Sequence, residues 1–214
     1  MARERITGLT AVPPLWIQLT EREWPAEAAA SLRYFANTGG AMPRSVLARL
    51  RSLAPNAAPV LMYGLTEAFR STWLPPGEVD RRPGSIGKAI PGAEILVLRP
   101  DGSECDPGEP GELVHRGPTV TLGYWNDPAR TAERFRPAPG RPAEIPAAEL
   151  AVWSGDIVER DAEGFLYFIG RRDEQIKTSG YRVSPTEVEQ VLQACSGVVE
   201  CVVFGVPDER LGQA

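Results

Sequence analysis

The segment GRRDEQIKTSGYR, Gly170 to Arg182, gathers Arg171, Arg172, Lys177 and Arg182 around Asp173 between two glycines. Cations on a glycine-punctuated hairpin suit a hinge that handles a nucleotide phosphate, since guanidinium and ammonium groups pair with phosphate oxygens. Upstream, YGLTE at Tyr63 to Glu67 sets an aromatic ring, a glycine, a hydroxyl and a carboxylate within five residues. It follows a short apolar run, so the group falls at a strand end, where α/β sheets commonly bind ligands. WSGD at Trp153 to Asp156 adds a carboxylate with two acceptor oxygens. NTGGAMP at 37–43 adds two glycines that let backbone approach a ligand closely. Alone, each string also fits a simpler element: a strand-end turn with a solvated Glu, a common Ser-Gly-Asp turn, a plain loop, a basic hairpin tip.

The elements that must position these groups are readable from periodicity. Ser45 to Leu53 has apolar residues at helical spacing, and Pro59 to Met62 is a short apolar run ending in a glycine turn, which together predict an α/β layer over 1–83. Over 84–170 the pattern becomes short β-like runs, AEILVL and GELVHRG among them, separated by turn clusters such as RPDG and DPGEPGE, and a small antiparallel barrel or sheet is expected. Arg136 to Pro146 holds four prolines and no period and is expected to be a surface loop. In SPTEVEQVLQAC, Ser184 can cap a helix with Pro185 at its first position and Glu187 closing a capping box. Val188, Val191, Leu192 and Cys195 should then face a core, with Gly197 as the stop and VVECVVFGV following as a buried strand.

Composition narrows the function. With 23 basic and 28 acidic residues and a net charge of −5, the 214-residue chain does not suit general nucleic-acid binding, which calls for a basic face. No apolar run reaches the ~20 residues of a membrane span. Cys105, Cys195 and Cys201 are odd in number and lack zinc-site spacing, so they are expected to be free thiols in a cytoplasmic protein. The single histidine, His115, lies in an expected strand and is read as structural.

Taken in order, YGLTE, WSGD, GRRD and KTSGYRVSPTEVE closely resemble the adenylate-forming (AMP-binding) superfamily, which includes the acyl-CoA synthetases, luciferases and peptide-synthetase adenylation domains. The resemblance covers nearly the whole chain. It implies that residues 1–170 are the C-terminal portion of a large AMP-binding domain and that 171–214 are a hinge and the start of a small α+β domain. It implies ATP or AMP and Mg²⁺ as ligands, CoA as co-substrate and a small carboxylic acid, fatty or otherwise apolar, as substrate. By resemblance Tyr63, on the flexible Gly64, stacks on adenine, Thr66 bonds the α-phosphate and Glu67 holds Mg²⁺. Gly39, Gly40 and Ala41 wall the adenine and acyl pockets, and Asp156 and Arg171 reach the ribose. Asp173 is the pivot of the small domain, while Gly180 leaves room for the pantetheine arm and Arg182 meets phosphate. Lys177 is not the family's catalytic lysine and is read as a solvated hairpin residue.

The sequence departs from the family pattern in having no TSGTTGxPK-type phosphate loop and no distal lysine. The expectation is therefore part of an AMP-forming acyl-CoA ligase, inactive as an isolated chain. A carrier-loading adenylation domain ranks second because the hinge loop resembles the CoA ligases more. A non-catalytic remnant, or half of a split enzyme with a separately encoded N-terminal piece, is the alternative of another class.

Overall fold

A computed structural model describes residues 3–138, 149–172, 174–178, 181–198, 201–208 and 210–214, without the Arg182 side chain. The chain forms two compact units, one of residues 1–94 and 116–123, the other of 95–115 and 124–214.

The first unit is an α/β layer. Strands β1 (Gly8–Ala11), β2 (Tyr34–Asn37) and β3 (Ala58–Tyr63) run parallel in that order, with Ala11 opposite Asn37 and Asn37 opposite Leu61. Helices α1 (Pro13–Thr20), α2 (Ala26–Ser31) and α3 (Arg44–Leu53) make the crossovers that parallel strands require. Val46 and Leu50, one helical turn apart on α3, are buried with Trp16, Leu32 and Phe35. The Trp16 and Phe35 rings meet edge to face at 5.8 Å, a favoured aromatic geometry. Strand β4 (Thr72–Leu74) then adds antiparallel to β3, and β5 (Ser85–Ala89) antiparallel to β4.

The second unit is β-rich. It contains β6 (Glu94–Leu98), β7 (Gly111–Arg116), α4 (Pro128–Arg134), β8 (Phe135–Pro137), β9 (Leu150–Arg160) and β10 (Leu166–Arg171), with sheet order β10-β9-β7-β6 and β8 paired to β9. Asp161 closes the β9–β10 hairpin by accepting the Glu163 and Phe165 N–H groups, a local turn bond typical of Asp. A bulge between Phe168 and Gly170 shifts the register of β10. Next come β11 (Ile176–Thr178), β12 (Tyr181–Val183), α5 (Pro185–Gln193), β13 (Pro207–Asp208) and β14 (Gly212–Gln213), with sheet order β12-β11-β14-β13. The expected cap is present: the Ser184 hydroxyl accepts the Glu187 N–H, with Pro185 at the first turn. The same hydroxyl donates to the Ile169 carbonyl at 2.7 Å, tying the start of α5 to the bulge.

Four expectations need correction. The apolar face of α5 is not buried: Val191 is 65% exposed and Leu192 and Cys195 are exposed too, because spacing puts residues on one face without supplying a layer to cover it. The helix also ends at Gln193, and Gly197, at φ 91°, belongs to a following turn. Residues 201–206 form no strand. They run as an irregular segment held to α5, with the Val203 N–H on Glu189 Oε1 at 2.9 Å, while Val202, Phe204 and Val206 are exposed. Of the expected loop at 136–146, Arg136 and Pro137 pair with Ala151 and Leu150 in β8, and residues 139–146 lie outside the described residues.

The three cysteines are free. His115 is wholly buried in β7, and burial pushes its imidazole below the ordinary value of 6.5. The unfolded chain therefore takes up a proton near 6.5 that the folded chain refuses, so this group favours folding above that pH and the advantage is lost as pH falls. Urea midpoints should drop between pH 7.5 and 5.5, and the part of the drop due to His115 should vanish in His115→Gln.

Candidate functional site

In the first unit the functional strings cluster at the carboxyl edge of β2 and β3. Tyr63 ends β3, and its carbonyl accepts the Ser71 N–H at 3.0 Å, closing a loop over 64–70. Gly64 is required there: a Cβ would press into the Phe69 carbonyl oxygen and lie 3.0 Å from Arg70 Cα. Thr66 at the tip is exposed; Glu67 is partly buried, and its carbonyl accepts the Thr121 N–H at 2.9 Å. The backbone thus sets Tyr63, Thr66 and Glu67 on one short, fixed turn.

On the neighbouring strand Asn37 ends β2 and is 2% exposed. Its Nδ2 donates to the Gly40 carbonyl at 2.8 Å and so shapes the exposed Gly39–Gly40–Ala41 turn, while Oδ1 is buried without a partner among the described residues. Asn37 was not among the residues expected from sequence. An amide at a strand end directly before Thr-Gly-Gly was the available signal.

In the second unit Asp156 on β9 stands opposite Arg171 on β10, and Arg171 Nη1 donates to Asp156 Oδ1 at 3.0 Å. The two residues expected to reach one sugar are therefore paired. Asp156 is 7% exposed, and its N–H donates to Ser154 Oγ, whose own proton goes to the Leu113 carbonyl. Gly155 adopts φ 75°, and a Cβ there would collide with the Arg134 guanidinium. Arg134 Nη1 in turn donates to the Ser154 carbonyl at 2.7 Å. Glu112 on β7 completes the buttress, accepting the Gly155 N–H at 3.0 Å and Arg172 Nη1 at 2.7 Å. Sequence reading missed Glu112, Arg134 and Arg172 as supports. A long charged side chain on a largely apolar strand, as at Glu112, was the only hint.

Asp173 and Gly180 lie outside the described residues. The Arg182 backbone pairs with Lys177 across β11 and β12, and its side chain is not described. Lys177 is exposed, and its N–H donates to Gln213 Oε1. Among the described residues no helix is long and apolar enough to cross a membrane, and no three His, Cys, Asp or Glu side chains cluster as metal ligands.

A family model described as AMP-binding enzyme matches residues 1–125. The chain belongs to the AMP-binding enzyme family. A second model, AMP-binding enzyme C-terminal domain, matches residues 187–214 of this AMP-binding chain. It is 34% identical to a long-chain-fatty-acid–CoA ligase of Escherichia coli O157:H7, over all of this chain and 36% of that protein. It is 33% identical to an oxalate–CoA ligase of Arabidopsis thaliana, over all of this chain and 40% of that protein. Among solved structures, o-succinylbenzoate CoA synthetase of Bacillus subtilis, in complex with its acyl-adenylate intermediate, matches 99% of this chain and 40% of its own, with 30% identity and a TM-score of 0.81. That synthetase is also known with ATP and magnesium and with AMP. The AMP-binding chain thus has the mixed α/β fold of adenylate-forming enzymes, its relatives are acid–CoA ligases, and it spans well under half the length of each of these three.

Proposed function

We propose that this chain serves AMP-forming acid–CoA ligation: a carboxylate attacks the α-phosphate of ATP to give acyl-AMP and pyrophosphate, and the CoA sulfur then displaces AMP. The observation that carries the reading is the likeness, over 99% of the chain, to a synthetase in complex with its acyl-adenylate. In this reading the Tyr63 ring stacks on adenine, Gly39, Gly40 and Ala41 wall the adenine and acyl pockets, and Thr66 donates to the α-phosphate. Asp156 accepts the ribose hydroxyls with Arg171 beside it, and the observed 3.0 Å pair supports a shared target. Glu67 would hold Mg²⁺, which neutralises triphosphate charge when bound.

The division of labour falls at residue 170. Residues 1–170 present the nucleotide site, and residues 171–214 turn about Asp173 to bring the loop 177–182 to bear, Gly180 admitting the pantetheine arm and Arg182 meeting phosphate. Such rotation is a known switching device. The acid is placed among apolar, fatty-type carboxylates, and the setting is cytoplasmic.

No TSGTTGxPK-type stretch occurs in these 214 residues. Backbone amides of that kind stabilise developing phosphate charge, and losing one well-placed donor can cost about 3–4 kcal/mol of transition-state stabilisation. Assayed by itself, the 214-residue chain is expected to give no acid-dependent ATP–pyrophosphate exchange, whereas supplying both that loop and the distal lysine should restore it. Exchange by the chain alone at a rate typical of a complete ligase would refute this.

A further inference from the structure

Arg70 has no part in the roles above, yet it occupies an unusual position. It lies on the return limb of the loop carrying Tyr63, Thr66 and Glu67, fixed by the Ser71 N–H on the Tyr63 carbonyl and by the close approach of Gly64. Its guanidinium lies over the Phe69 ring at 5.1 Å from the ring centre, which holds the plane of the head group. Nη1 is buried and has no hydrogen-bond partner among the described residues. Phe69 itself is 73% exposed and sits at φ 58°, in the left-handed region that an aromatic residue rarely enters. An unmatched cationic donor beside a strained, exposed aromatic is costly for folding alone, and such costs gather at binding sites.

We infer that Arg70 is an oxyanion-binding residue, taking up an anionic group of the ligand held at the Tyr63–Glu67 turn through its planar fork of N–H donors. The inference rests on the functional reading above. Two sources carry that chemistry: the phosphates of the nucleotide, and a second carboxylate on the acid. Either would give the accessible part of the Arg70 fork a charge-assisted partner, a geometry that a guanidinium matches better than an ammonium.

The test titrates adenosine, AMP, ATP, decanoate and decanedioate into the full 214-residue chain, its Arg70→Gln variant and its Arg70→Lys variant, by calorimetry. Arg70→Gln is expected to keep adenosine affinity and to weaken one oxyanion series by about tenfold or more, with Arg70→Lys between the two. Weaker AMP and ATP binding identifies phosphate as the source; weaker decanedioate with unchanged decanoate identifies a second carboxylate. If Arg70→Gln does not fold, the loss in Arg70→Lys decides. Equal affinity of all folded variants for every oxyanion ligand, with adenosine still bound, overturns the inference and leaves the nucleotide reading intact. Absence of saturable adenosine and AMP binding by the unaltered chain overturns both.

Discussion

Asp156→Ala is expected to weaken AMP binding by about a hundredfold or more, the largest effect of any single change proposed. A hydrogen bond to a charged group contributes about 1.5–3 kcal/mol, and the proposed role gives this carboxylate two ribose hydroxyls. The change also strips Arg171 of its 3.0 Å partner, which is much closer than its contact to Glu174 at 3.8 Å. Arg171 is one-third exposed, so water takes over part of that loss, and a modest fall in melting temperature is expected beside the large fall in affinity. Asp156→Asn, which keeps the shape and one acceptor, should lie between. Calorimetric titration with AMP, with melting curves for each variant, separates the two effects; affinity unchanged in a folded Asp156→Ala chain would remove Asp156 from the site.

The second large effect is expected from Gly64→Ala. Its Cβ would meet backbone at Phe69 and Arg70, which cannot swing away as a side-chain tip could. Overpacking of this kind costs about 1–3 kcal/mol. The loop must open, moving Tyr63, Thr66 and Glu67 apart, so AMP affinity should fall together with stability. Gly77→Ala is the control, since a Cβ there meets nothing within 4 Å. Urea denaturation of both variants checks the contrast; equal midpoints would show that the loop has slack the geometry does not suggest.

Much of this site is legible in the residue string because its chemistry is local. Tyr63, Gly64, Thr66 and Glu67 sit within five residues on one strand-end turn, and Ser184, Pro185 and Glu187 form a cap whose geometry depends only on near neighbours. Helix α3 and strand β3 follow from periodicity for the same reason. What escapes such reading is tertiary. Glu112 reaches Gly155 and Arg172 across 43 and 60 residues, a pairing that no local pattern encodes. The orphaned Asn37 Oδ1 and Arg70 Nη1 are defined by burial, which depends on what packs around them. The same limit explains the misreading of α5: Val188, Val191 and Leu192 do share helical spacing, but whether that face is covered is a property of the surroundings. In residues 201–206 the β-branched composition suggests a strand, but among the described residues only Val206 exchanges backbone hydrogen bonds, with Ala214 at 3.0 and 2.9 Å, and what lies beside a segment is set by the tertiary fold.

The central claim is that the Tyr63–Glu67 turn of the first unit and the Asp156–Arg171 pair of the second each take part in binding an adenine nucleotide. Its most direct measurement is an AMP titration of the folded 214-residue chain, followed both by calorimetry and by the fluorescence of its tryptophans, beside the Tyr63→Ala and Asp156→Ala variants. The account predicts saturable one-to-one binding that weakens markedly in each variant while the melting transition persists. Binding that fails to saturate, or that both variants retain at full strength, would contradict it.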